Sequence, residues 1–215
     1  MKTLTKKYKL YLSNKSFMLS SFLGLVFILI SLVINYYAGT YASESASSPV
    51  QDIILSNTPV FNMNTIFIYG PLILWFYVTL LCVHEPKRIP FILKSIALFV
   101  IIRSVFLTMT HIGPYPDQIA LNPESWINNF TFGADLFFSA HTGLPFLLAL
   151  IFEKNKILKI FFIANAVFFG AVVLLGHLHY TIDVFAAFFI TYSIHHIAEK
   201  FFEKDRKMFY EGVRS

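Results

Sequence analysis

Six apolar runs decide what this chain can become: Phe17–Ala38, Ile66–Val83, Phe91–His111, Asp135–Phe152, Ile157–Gly176 and Thr181–Ala198. A helix crosses a bilayer with about 20 mostly apolar residues, in a range of about 17–25. Every run meets or approaches that length. Composition agrees, because only 13% of the 215 residues are charged, against about 25% in a soluble domain. Such a chain cannot cover a water-facing surface of its size, and its 25 phenylalanines suit helices that face lipid. The expected fold is all-α: a polytopic membrane bundle of six transmembrane helices over residues 17–198. A basic segment precedes it at 1–16 and a tail follows at 199–215. No separate soluble domain of ordinary size fits beside it.

The first run follows Lys6, Lys7 and Lys9 and precedes small residues from Ala38 to Ala42, as in a signal peptide. Its apolar core exceeds the roughly 7–15 residues of a signal h-region, so an uncleaved span is expected. The single cysteine, Cys82, excludes an intrachain disulfide.

The cations set orientation. Lys2, Lys6, Lys7, Lys9 and Lys15 precede the first run; Lys87, Arg88 and Lys94 flank the second connection. Lys154, Lys156 and Lys159 flank the fourth, and Lys200, Lys204, Arg206, Lys207 and Arg214 close the chain. The alternate connections, 39–65, 112–134 and 177–180, hold none. Every basic residue except Arg103 then lies on one side, and the positive-inside rule makes that side, with both termini, cytoplasmic. This pattern accounts for the net charge of +5 as topology and contacts to anionic lipid; nucleic acid is not an expected partner. The connection 39–65 reads as a loop or short surface helix. The connection 112–134 holds the helix breakers Pro114, Pro116 and Pro123. Tyr115, Trp126 and Phe130 there suit the headgroup layer, and Asn129-Phe130-Thr131 spells a glycosylation sequon close to the membrane.

Chemistry concentrates in two segments at the opposite, extracytoplasmic end. In the first, His179-Tyr180-Thr181-Ile182-Asp183 puts an imidazole and a carboxylate four residues apart. At a helix start they share a face. A carboxylate on one ring nitrogen fixes the tautomer and leaves the other as nucleophile or base. Free N–H groups at that helix start suit a phosphate. In the second, Asp135 near the mouth precedes Ser139, a phosphate hydrogen-bond donor, and His141, placed about two turns into an apolar helix and facing inward. Arg103 is the only cation deep in a span, which marks it as functional, and its planar guanidinium suits a phosphate. It could instead neutralise Asp135 or Asp183. His111, two turns further on, could line the same cavity. Tyr180 is grouped with the substrate-binding residues by position, although packing explains it as well. His177, His195 and His196 read as structural.

These residues resemble the paired motifs of the sphingomyelin synthase family, part of the wider PAP2-type lipid phosphatase and phosphotransferase group. The family's first motif, Cys-Gly-Asp-x3-Ser-Gly-His-Thr, is matched by Gly133-Ala134-Asp135, three residues, and Ser139-Ala140-His141-Thr142. Its second, His-Tyr-Ser/Thr-x-Asp-Val, is matched throughout by His179 to Val184. Gly133, Ala134 and Ala140 depart from the first motif. The proline-rich motif near the first span is not found, and the paired-arginine motif is reduced to Arg103. The Ser-Arg and Lys-x6-Arg-Pro elements of the lipid phosphatases are missing too; Val172 and Val173 stand in the Ser-Arg places.

The resemblance implies a lipid phosphotransferase in which His179, held by Asp183, attacks a phospholipid phosphorus. His141 then protonates the departing diacylglycerol. The partners implied are a phospholipid donor and a lipid acceptor, ceramide or diacylglycerol, in the bilayer; a homo-oligomer is compatible. The scheme calls for no cofactor and no metal. Rival readings are a hydrolase on the same site, a non-enzymatic lipid-binding or transport protein, and a metal-dependent membrane enzyme. Lysine, isoleucine, asparagine and phenylalanine usage leans to an AT-rich bacterium, hence a plasma or inner membrane.

Overall fold

The computed structural model describes residues 2–119 and 136–213, and within them the chain is helical. In chain order the helices are α1 (Lys2–Ser13), α2 (Lys15–Glu44), α3 (Asn64–His84), α4 (Ile89–Met109), α5 (Ala140–Ile151), α6 (Lys156–Leu175), α7 (Thr181–Phe201) and α8 (Glu203–Glu211). Five of these, α2, α3, α4, α6 and α7, are long and apolar enough to cross a membrane. Helices α2, α3 and α7 contain their expected spans whole, whereas α4 stops at Met109 and α6 at Leu175, short of the expected ends at His111 and Gly176.

The expected span Asp135–Phe152 comes out differently. Its helix, α5, starts only at Ala140, where Ser139 caps it by accepting from the Thr142 amide. At about 1.5 Å per residue, the 12 residues of α5 reach well short of the roughly 30 Å of a bilayer core. Residues 136–139 approach it as non-helical chain. Asp135, the Asn129 sequon, Pro123, Trp126 and Phe130 lie outside the described residues. At the other end of the first span, α2 continues to Glu44. The 39–65 connection therefore begins as helix and holds one short 3-10 turn, Leu55–Asn57.

The centre of the bundle is α4, α5 and α7. Phe99, Phe138, Leu147, Leu148, Ala187 and Ile194 are all buried and belong to one core. Gly143 sets how closely these helices meet. A methyl group there would come within 2.7 Å of the Phe99 ring and 2.9 Å of Thr191 Oγ1. Phe99 is fully buried and has nowhere to move. Gly143→Ala should therefore destabilise the bundle by about 1–3 kcal/mol, read as a lower melting temperature of the purified protein. An unchanged melting temperature would show that the helices have room to separate.

The basic segments gather at one end. Lys7 pairs with Glu85, Tyr8 Oη donates to the Val83 carbonyl at 2.7 Å, and Lys87 Nζ donates to the Tyr210 carbonyl at 2.8 Å. Arg206 bridges Glu153 and Glu199. These contacts join α1, the α3–α4 turn, the α5–α6 turn and α8. His195 and His196 belong to this end: His195 Nε2 sits 3.3 Å from Glu199 Oε1, and His196 Nδ1 meets the Tyr192 carbonyl at 3.0 Å.

Candidate active site

The start of α7 organises the opposite end. Tyr180 is its N-cap and Asp183 the third residue in, and the two form a reciprocal cap. Asp183 Oδ2 accepts from the Tyr180 amide at 2.8 Å. His179 thus lies just outside the helix rather than on its first turn. It still meets its partner: His179 Nδ1 is 3.4 Å from Asp183 Oδ2, and both side chains are buried. That is ion-pairing distance without hydrogen-bond alignment, since among the described residues neither His179 Nδ1 nor Asp183 Oδ1 has a hydrogen-bond partner.

The two motif segments are joined directly, because the Ser139 amide donates to the Asp183 carbonyl at 3.1 Å. Arg103, itself buried, donates from Nε to the neighbouring Phe138 carbonyl at 2.7 Å. It therefore braces the strand of chain that delivers Ser139. The Ser139 side chain is fully buried and engaged in capping α5. Backbone capping, not an open hydroxyl, is what this residue supplies.

His141 falls in the first turn of α5 rather than two turns along, because the helix starts at Ala140. Its ring stacks on Phe67 of α3, with centroids 4.1 Å apart, and Nε2 lies 3.2 Å from the Phe67 carbonyl. A carbonyl can only accept, so Nε2 carries hydrogen there. His141 also lines a cavity of ≈ 160 Å³ with Pro71, Leu74, Trp75, Leu144 and Phe169.

Three residues settle elsewhere than expected. Tyr180 is 2% exposed. Its hydroxyl donates to the Gly113 carbonyl at 2.8 Å and accepts from the Val50 amide at 3.3 Å. It ties two connecting segments to α7 and is a structural post. His111 lies beyond the end of α4, its ring edge-on to Tyr41 at 5.5 Å and its carbonyl accepting from the Ser47 amide at 2.7 Å. Tyr115, expected among headgroups, packs instead against His177 and Tyr180. His177 adopts a left-handed φ of 52° and touches the Thr58 carbonyl at 3.1 Å through Nε2, a turn role.

Asp52 was not foreseen. Its carboxylate accepts from the Thr181 amide at 2.7 Å, the Thr181 hydroxyl at 2.6 Å, and the Ile54 and Leu55 amides at 2.9 and 3.0 Å. Burial pushes its carboxyl up, but the hydrogen bonds from Thr181, Leu55 and Ile54 outweigh it and hold the pKa below the ordinary value. The Thr181 N–H expected to be free for a phosphate is thus already taken by a carboxylate from a distant loop. A motif scan had no means to find it, since Asp52 sits in a Ser-rich stretch far from either segment. The only hint was an acid alone among uncharged loop residues.

Among the described residues, no group of three His, Cys, Asp or Glu side chains converges to hold a metal ion.

A family model described as PAP2 superfamily C-terminal matches residues 133–200, which takes in α5, α6, nearly all of α7 and both motif segments. No curated protein and no solved structure matches the chain. The match supports an enzyme of the lipid phosphatase or phosphotransferase class in a multi-pass membrane protein. It does not single out the sphingomyelin synthase-like branch.

Proposed function

We propose that the protein transfers a phospho-headgroup from a glycerophospholipid to a lipid hydroxyl, as in sphingomyelin-type and ceramide phosphoethanolamine-type synthesis. The observation that carries the reading is the Ser139–Asp183 backbone bond. It supports reading the two motif segments as one site, and His141 lines a cavity among membrane-type helices. That cavity shares Trp75 and Leu144 with an apolar groove of ≈ 550 Å³ that runs along Leu25, Leu32, Val78 and Ile92, between α2, α3 and α4. A diacyl substrate can lay its chains there and bring its phosphate to the histidines from within the bilayer.

In the proposed reaction, Asp183 holds His179 Nδ1 and leaves Nε2 to attack phosphorus. The phosphorus–oxygen bond to diacylglycerol breaks as the nitrogen–phosphorus bond forms, and His141, protonated, gives its proton to the departing oxygen. The acceptor hydroxyl then passes its proton to His141 as its oxygen attacks phosphorus, and the bond to His179 breaks. Arg103 holds the Phe138–Ser139 segment beside the headgroup. By the distribution of basic residues, the site faces the extracytoplasmic side. A water molecule as acceptor would turn the same site into a lipid phosphate hydrolase.

Purified protein in vesicles with labelled phosphatidylethanolamine or phosphatidylcholine tests this, with and without ceramide or diacylglycerol. Label on the acceptor in wild type, lost in His179→Ala and His141→Ala, is the expected result. Soluble headgroup or phosphate, independent of acceptor, would assign the hydrolase. Turnover that survives both substitutions would remove the histidines from the chemistry.

A further inference from the structure

The basic end of the bundle has its own cleft, of ≈ 540 Å³, where α2 meets the end of α7 and the start of α8. Its lining includes Lys94, Lys200, Lys204 and Ser20 together with the apolar Leu19 and Phe201. Lys94 is buried, and its Nζ donates to Asp205 Oδ2 at 2.7 Å and Ser20 Oγ at 2.6 Å; Ser20 Oγ in turn donates to Asp205 Oδ1. This triad fastens α8 to α2 and α4, which is reason enough for it to exist. It also cancels both charges of the cleft floor.

The sign of the cleft is then set by its rim. Glu203, the remaining acid there, is paired with Lys207 at 2.7 Å. Lys200 and Lys204 are exposed and make no ion pair among the described residues. Two uncompensated ammonium groups therefore stand over the cleft. Beside them, Leu19 is 60% and Phe201 73% exposed. Lys94 lies five residues into α4, roughly 7–8 Å from its start at 1.5 Å per residue, which is headgroup depth.

We propose that this cleft seats the phosphate of an anionic phospholipid from the adjacent leaflet, with its chains running down α2 along Leu19 and Leu23. Cations beside an apolar wall at the membrane surface match an amphiphile, whereas a soluble phosphate would gain nothing from the wall. The site is at the opposite end from His179 and Asp183 and does not depend on their chemistry.

A Phe201→Trp reporter in vesicles containing brominated lipid reads occupancy directly, with the parent protein correcting for the two native tryptophans. Brominated phosphatidylglycerol should quench the reporter more than brominated phosphatidylcholine at equal mole fraction. The excess should disappear when Lys200→Gln and Lys204→Gln are added; both are exposed, so the fold is retained. Equal quenching by the two lipids would overturn the proposal. So would loss of the excess in a Lys6→Gln/Lys9→Gln control, which removes two exposed charges of the same end outside the cleft and would indicate diffuse attraction only.

Discussion

Asp183→Asn should cost turnover on the order of a thousandfold or more, while the protein stays folded. Asp183 has two tasks that this substitution separates. One oxygen accepts the Tyr180 amide and caps α7, and an asparagine carbonyl can do the same, so stability should fall by no more than about 1 kcal/mol. The other task is electrostatic, with the carboxylate 3.4 Å from His179 Nδ1 inside a buried setting. As His179 gives its Nε2 lone pair to phosphorus, the ring becomes cationic. A full negative charge in contact stabilises that cation and selects the tautomer; a neutral amide does neither. The measurement is headgroup transfer from whichever phospholipid wild type consumes, beside a thermal melt. Near-wild-type transfer at an unchanged melting temperature would make Asp183 a cap and nothing more. Asp183→Ala is the informative companion, because it should lose both activity and the cap.

Much of this site was legible in the sequence, for a physical reason. His179 and Asp183 are four residues apart, so any helix start near Thr181 brings them together, whatever surrounds it. The apolar runs were equally clear, since the thickness of a bilayer sets their length within a local window. What the sequence hid were boundaries and long-range partners. Ser139 read as a phosphate donor, but it is the residue that starts α5, and that shift moves His141 from the second turn to the first. Tyr180 was grouped with the substrate-binding residues while packing explained it as well, and its hydroxyl is engaged by Gly113 and Val50. Both outcomes depend on which loops close over the bundle end, and no local pattern encodes that. Arg103 stood out by its depth in a span, yet its bond to the Phe138 carbonyl could not be anticipated, because the chain there is not helical.

Asp52 is the clearest of these hidden partners, and removing it should have a large effect on stability. It accepts four hydrogen bonds, two of them from Thr181 at the first turn of α7. An N-cap side chain contributes about 0.5–2 kcal/mol, and a hydrogen bond to a charged group about 1.5–3 kcal/mol. These terms overlap, so Asp52→Ala should destabilise by about 2–4 kcal/mol; Asp52→Asn, which keeps one acceptor oxygen, should cost less. Acidity gives an independent check. The folded pKa is held below the ordinary carboxylate value, so the carboxylate's contribution is complete above the unfolded value of about 3.9 and is lost as pH falls through the lower folded one. The melting-temperature gap between wild type and Asp52→Asn should therefore be flat from about pH 7 to 5 and narrow only below about pH 4. A gap that changed between pH 5 and 7 would assign the effect to another titrating group. If Asp52→Ala melted with wild type, the loop would not be docked on α7, and the helix start would be open to an anion after all.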